Sequence, residues 1–591
     1  MIRVLNLKRF PITILILAGF LILAAAVLLY RGNEFGQPLK DELHAAEKLA
    51  PLSPEDLLQQ AGRFEKRVEQ VTDNIYVAVG YALANSILIV TPEGNIVIDT
   101  TESLAAAAEI KAEFDKIANQ PTAAIIYTHG HPDHILGTPV FVTNNNEVEI
   151  YAHTKTDAFL SEQFGQLQQI LNVRGMRQFG TYLPEKYLPN SAIGPGLRFD
   201  HEIISGFVFP TTVFSGELQL DIGGVKLMLI DAPGETEDQI MIWLPEQKVL
   251  FCADNYYPAF PNLYTIRGSA PRPIRDWIDT LDRMRDLKAE YLVPSHTEPV
   301  YGADRIYELL TAYRDAIQYV HDAVIRGANQ GKTIEQLVEE IALPPHLQAY
   351  PELRELYGEV SWSVRAIYNG YLGWFDGNAS SLHPLTVAER AEKIAGLAGG
   401  LDQLREAAGE AILSADYQWA AELADLILAA EPGCNIAREI KAEALFKLGE
   451  SAYNANARAY YFTQSLELSG QLEPAGELKA DITLAHQLPL DKLFENMAVR
   501  LNPETSLDQK ITAHFMMIDT GAQYTVTVRR GIAETRPGLH GEADLVISVE
   551  EPLWKELALG LSSPVTALAT GRLKVEGNKI LQLKEFFDLF K

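Results

Sequence analysis

The stretch Thr128-His129-Gly130-His131-Pro132-Asp133-His134 places three imidazoles and a carboxylate within six residues. Borderline-soft nitrogen plus oxygen donors at this density form a set that suits zinc. The run follows an apolar, β-rich segment, Ala124 to Tyr127, and enters a loop. There His129 and His131 can point one way while Asp133 and His134 reach a second metal a few ångströms off. A polar surface loop is the plain alternative reading, and the tight spacing argues against it.

On either side of this loop, β-rich runs alternate with helical spacing. Strands are expected at Asn74 to Val79, Ser86 to Val90, Asn95 to Asp99, Ala123 to Tyr127, Glu149 to Ala152, Val225 to Ile230, Ile240 to Leu244, Val249 to Ala253 and Tyr291 to Val293. Helices are expected at Leu104 to Ile117 and Trp277 to Leu287. The mixture predicts an α/β sheet domain over 72–310. From 311 to 475 the pattern is helical almost throughout, with Thr333 and Gln336 set as a capping box and Pro344-Pro345 as a stop. Breaks near Asp416 and at Pro432-Gly433 suggest one or two tetratricopeptide-like hairpins. Strand alternation returns in 476–591, at His514 to Ile518, Tyr524 to Val528, Leu545 to Ser548 and Leu573 to Val575, with helices at Pro552 to Leu559 and near the C-terminus. That is the pattern of a small α+β module.

The composition of the 591 residues, 47% hydrophobic and 22% charged, is that of globular protein in several domains. A formal net charge of -28 repels phosphate backbones, so nucleic acid is not an expected partner. The same surface repels an anionic substrate at long range, so any anion must be captured by local positive charge from metal or arginine. Cys252 and Cys434 show no metal-site or redox spacing and read as buried small hydrophobes. Arg3, Lys8 and Arg9 precede an uncharged run from Phe10 to Tyr30, close to the roughly 20 residues that span a bilayer as helix. Residues 1–33 are therefore expected to be a membrane anchor, with a cleaved signal peptide as the alternative, and 34–71 a tether. The basic flank stays in the cytoplasm, so the bulk of the chain is expected outside it, in the periplasm of a Gram-negative cell.

The HxHxDH loop at a strand end resembles the metallo-β-lactamase superfamily over roughly residues 72 to 300, which implies an αββα sandwich. Where that superfamily usually has a histidine in a Pro-Gly-His turn, this chain reads Pro233-Gly234-Glu235, with Glu237 and Asp238 as competing carboxylates. The resemblance implies that His129, His131 and Glu235 hold one zinc, that Asp133, His134 and His296 hold the other, and that Asp254 bridges them. Two close cations generate a hydroxide from water near neutral pH, which is hydrolytic equipment.

The glutamate in that turn, and the segment Asn262-Leu263-Tyr264-Thr265-Ile266-Arg267-Gly268, are similar to the alkyl sulfatases of this superfamily. By that resemblance Asn262, Thr265 and Arg267 bind sulfate, and Asp133, Asp254 and Arg267 take part in catalysis. The run from Tyr357 to Asn378 looks like the helical dimerisation domain of these sulfatases, and the C-terminal module is similar to their sterol-carrier-like domain. Two departures stand out. His296 is followed by Thr297 where the family often has a second histidine, and the bridging carboxylate is Asp254 where some members have glutamate. The expected reaction is hydrolysis of alkyl sulfate esters such as dodecyl sulfate to alcohol and inorganic sulfate, by a homodimer carrying two zinc ions per chain. The alternatives are hydrolysis of a thioester, lactone or phosphoester at the same site, and a membrane-tethered lipid-binding protein whose metal site is structural.

Overall fold

A computed structural model describes residues 52–142, 148–163, 166–197, 206–476 and 482–590. The expected anchor at 1–33 lies outside the described residues, and among those described no helix is long and apolar enough to cross a membrane.

Two sheets form the heart of the first half. One runs β1 (Arg67–Thr72), β2 (Ile75–Val79), β3 (Ser86–Thr91), β4 (Gly94–Ile98), β5 (Thr122–Ile126), β6 (Glu149–His153) and β7 (Thr212–Phe214) in that spatial order, antiparallel to β4 and parallel beyond it. The other is ordered β13-β12-β11-β10-β9-β8, from β8 (Glu217–Ile222), β9 (Val225–Asp231), β10 (Ile240–Leu244), β11 (Val249–Ala253), β12 (Tyr291–Pro294) and β13 (Val300–Tyr301). Every residue of β4, β10 and β11 is buried because each strand is covered on both faces. Alternation along the pleat divides the load. Ile96, Ile98, Val249 and Phe251 meet between the sheets. Val97 turns outward to Ile110 and Phe114 of the helix Leu104–Ile117, and Leu250 and Cys252 turn to Trp277 and Leu281 of the helix Ile274–Asp286. The layers are helix, sheet, sheet, helix.

The expected tether is corrected at its C-terminal end. Residues Pro54–Gln59 form a helix begun by a capping box on Ser53 and Asp56, and Arg67–Thr72 is a sheet strand. Strand β1 escaped the sequence reading because its positions are only partly buried and its side chains mostly polar. The helix Gln168–Phe179 was missed for the same reason, and β7 because three residues are too few to show a period.

The helical half opens with Ala303–Asn329, whose inner face joins the helix layer of the second sheet. The expected capping box on Thr333 and Gln336 starts Ile334–Glu340. The hairpins are Leu401–Leu413 with Tyr417–Ala430 and Asn435–Ser451 with Ala455–Leu468. They clasp the catalytic half. Asn454 and Asn456 donate side-chain amides to the Tyr357 carbonyl at 3.0 and 2.9 Å, and Arg458 Nε donates to the Tyr187 carbonyl at 2.7 Å. At Gly358 a Cβ would collide with the Pro261 carbonyl oxygen, so only glycine lets this strand of chain lie against the segment that begins at Asn262. The C-terminal module, a five-stranded sheet with helices, has its own core around Phe494, Phe515, Trp554 and Phe586.

Candidate metal centre

Strands β4, β5, β11 and β12 run out at one edge of the sandwich, and the loop after each delivers a polar side chain. Asp99 follows β4, His129 to His134 follow β5, Asp254 follows β11, and His296 follows β12. The backbone there is bent into unusual shapes. Asp99, Thr101, Ala253 and Thr297 all have left-handed φ, from 52° to 72°. Such conformations cost about 1–3 kcal/mol each and collect where structure is held for function.

Two groups of potential ligand atoms result: His129, His131 and Asp254, and Asp133, His134 and His296. Asp254 Oδ2 stands between them, 3.8 Å from His129 Nε2, 3.6 Å from His134 Nε2 and 3.1 Å from His296 Nε2. Asp133 Oδ2 is 3.5 Å from His134 Nε2 and 3.7 Å from His296 Nε2. Glu235 is placed differently from the expectation. It is buried beside the cluster but outside both groups, because its Oε1 receives Arg272 Nη2 at 2.8 Å. Its competitors are elsewhere. Glu237 pairs with Lys155 at the surface, and Asp238 Oδ2 accepts the Gly130 N–H at 2.8 Å, which shapes the His129-Gly130-His131 turn.

The ring orientations are set by outer partners. Asp99 accepts four donors: the Thr128 N–H and hydroxyl, the Ser295 hydroxyl, and His134 Nδ1–H at 2.7 Å. His296 Nδ1–H donates to the Leu83 carbonyl at 2.8 Å. Each bond leaves the Nε2 of its ring facing the cluster. Asp99 was missed as a site residue, although a lone acid closing the apolar run Ile96-Val97-Ile98 was its signal.

The electrostatics match the geometry. Burial, then the charge of His134, pushes His129 down to about 3, and burial with His129 and Arg267 lowers His131, so both rings stay neutral. Burial alone would raise Asp133 and Asp254, but the surrounding histidines win and hold both carboxyls low. Burial likewise opposes protonation of His296, yet Asp254 and Asp133 lift it to about 9. The pocket attracts positive charge. Three of its lone-pair atoms, His134 Nε2, Asp254 Oδ1 and Glu235 Oε2, are buried with no hydrogen-bond partner among the described residues, which is what a cation would satisfy. The residues present fit a metal.

The sulfate residues proposed from sequence lie alongside. Arg267 is partly buried, and its Nη2 donates to His131 Nε2 at 3.0 Å. Thr265 Oγ1 and the Arg267 N–H both donate to Gln178 Oε1, and Asn262 is held through its N–H on the Tyr257 hydroxyl at 2.7 Å. Gln178 and Arg272 were not anticipated. Their helix and loop carry no motif, and only the fold brings them here.

Comparison with known proteins finds a match for each of the three folded regions. Residues 79–296 match the metallo-beta-lactamase superfamily, 333–471 the alkyl sulfatase dimerisation domain and 479–591 the alkyl sulfatase C-terminal domain. A linear primary-alkylsulfatase of Pseudomonas sp. is 36% identical over 522 residues, which cover 85% of this chain and 98% of that one. The chain belongs to the alkyl sulfatases of the metallo-β-lactamase superfamily. An alkyl/aryl-sulfatase of Saccharomyces cerevisiae is 28% identical over 88% of the chain and 82% of its own length. The solved structure of a stereoselective inverting sec-alkylsulfatase from Pseudomonas sp. superposes with a TM-score of 0.84 at 25% identity, covering 93% of this chain and 88% of that one. For an alkyl sulfatase, the cluster at the strand ends is thus the metal centre to be expected.

Proposed function

We propose that this alkyl sulfatase hydrolyses alkyl sulfate esters to alcohol and inorganic sulfate, at a centre of two zinc ions and as a homodimer. The observation that carries the reading is a carboxylate, Asp254, that belongs to one three-residue ligand group and stands within 3.6 Å of two histidines of the other, with the cations Arg267 and Arg272 beside it. His129, His131, Asp133, His134, Asp254 and His296 would hold the metals, with Glu235 Oε2 in reserve beside them. Bound there, two divalent cations supply charge neutralisation and a nucleophile at neutral pH. The chain's own residues do the rest. Arg267 offsets the ester's negative charge against an acidic surface, Asn262 and Thr265 hold the segment that carries it, and Asp99 keeps His134 aimed.

The test is incubation of the zinc-loaded protein, lacking residues 1–33, with dodecyl sulfate, dodecyl phosphate, a thioester and a lactone. Inorganic sulfate should be released from the first, and His131→Ala or Asp133→Ala should abolish release and lower the zinc content. Turnover of another ester with no sulfate released would assign the site to a different hydrolysis. We further propose that Phe10 to Tyr30 anchors the enzyme with its catalytic part outside the cytoplasm. The full chain should then resist carbonate extraction from membranes and be digested by protease added to spheroplasts.

A further inference from the structure

The turn that carries His296 is held in a shape its own sequence does not favour. Thr297 is β-branched and buried, yet its φ is 67°, in the left-handed region that suits glycine. Such a conformation persists only where the surroundings impose it. The holder comes from more than 200 residues earlier in the chain, in the loop between β2 and β3. Asn85 gives its backbone N–H to the Ser295 carbonyl at 2.7 Å, and its side-chain Nδ2 to the carbonyls of Pro294 at 3.2 Å and Thr297 at 2.6 Å. One residue, 2% exposed, thus engages three of the four carbonyls from Pro294 to Thr297.

The residues on either side of Asn85 act on the same centre. The Leu83 carbonyl accepts His296 Nδ1–H at 2.8 Å, which turns Nε2 towards Asp254. The Leu83 N–H is fixed in turn by both carboxyl oxygens of Glu102, at 3.1 and 3.2 Å. Ser86 Oγ donates to the Asp99 carbonyl at 2.7 Å, and Asp99 orients His134. A buried asparagine ordinarily serves whatever backbone lies nearest, but the three carbonyls that Asn85 engages all belong to one turn, and that turn holds a ligand. A carboxamide offers two N–H bonds from one neutral atom, which is what two carbonyls on opposite sides of His296 require.

We propose that Asn85 is a positioning residue for the metal centre, clamping the Pro294–Thr297 turn so that His296 stands in its ligating place before a metal arrives. This rests on the two-metal reading above. His296 belongs with Asp133 and His134, so the clamp acts on one of the two ions. The group of His129, His131 and Asp254 contains no residue that Asn85 holds.

The experiment titrates zinc into the full chain in competition with a chromophoric chelator. Asn85→Ala should weaken the ion held by Asp133, His134 and His296 by about 10- to 100-fold and leave the other at its wild-type affinity. Asn85→Asp keeps the volume but turns an acceptor towards two carbonyls, so it should lose at least as much. Wild-type zinc affinity in either variant would overturn the assignment. Thr297→Gly suits the left-handed backbone, so adding it to Asn85→Ala should restore most of the lost affinity, and an equal loss in the single and double variants would refute the clamp. Asn95→Ala removes a comparable buried amide bond, to the Ala118 carbonyl at the far end of β4, and should keep both ions; an equal zinc loss there would reduce the effect to general destabilisation. Hydrogen exchange on the wild type decides the case where the Asn85 variants do not fold. The Asn85 amide should be as protected in the zinc-stripped chain as in the loaded one, and exchange at the free rate without zinc would show that metal, not Asn85, shapes the turn. A wild-type chain that takes up fewer than two zinc ions would bring down the two-metal reading, and this inference with it.

Discussion

Asp99 shows how a single residue can govern a metal site without touching the metal. All four of its partners are donors, so its carboxylate must accept everywhere. Asp99→Asn puts an NH2 group against one of those donors and removes the charge that fixes His134. We expect the variant to fold and to bind zinc roughly 10- to 100-fold more weakly, measured by competition with a chromophoric chelator. Unchanged zinc affinity would show that His134 needs no such support. At this scale the sequence was legible where residues are adjacent: the loop from His129 to His134, and the acids or histidines that end strands, Asp254 and His296. It was not legible where a side chain arrives from far along the chain. Arg272 diverts Glu235 from the place that resemblance gave it, and nothing local to the Pro233-Gly234-Glu235 turn announces a guanidinium 37 residues on, at 272 against 235.

Among the elements, buried strands were read to within a residue or two because their apolar runs have one explanation. The helix Leu104–Ile117 was read to the residue, with Ser103 capping it through the Ala106 N–H. Half-exposed elements gave no such pattern, and β1 was absorbed into the tether. The helix Val360–Leu372 carries a testable charge at its start. Burial, then the neighbouring Glu355, lifts the Glu359 carboxyl to about 7. A carboxyl whose folded value is raised holds its proton longer in the folded chain than in the unfolded one. Its contribution is therefore favourable below about pH 4.5 and is lost as pH rises towards 7. Glu359→Gln should raise the melting temperature by roughly 2 to 4 °C at pH 8 and leave it nearly unchanged at pH 4.5. An equal gain at both pH values would mean that packing, not ionisation, is responsible.

For the whole molecule, the exposed run Tyr371, Leu372, Trp374, Leu382, Leu385 and Val387 is the natural candidate for contact with a second copy, since Trp374 is 74% and Val387 76% exposed within a segment that matches a dimerisation domain. Light scattering on the protein without residues 1–33 should give about twice the chain mass, and Trp374→Glu should shift it towards monomer at micromolar concentration. A wild-type monomer would remove this face from consideration. The clasp at Tyr357 and Gly358 has a consequence for how the chain comes apart. Asn454 and Asn456 hold the hairpins to the Tyr357 carbonyl, the adjoining Gly358 N–H donates to the Phe260 carbonyl next to Asn262, and Arg458 donates to the Tyr187 carbonyl, so the first two matched regions cannot loosen independently. The C-terminal sheet closes its own core and is free to do so. Three regions by ancestry should then be two by calorimetry: one large endotherm for residues up to about 470, carrying catalytic activity away with it, and a smaller separate one for the remainder.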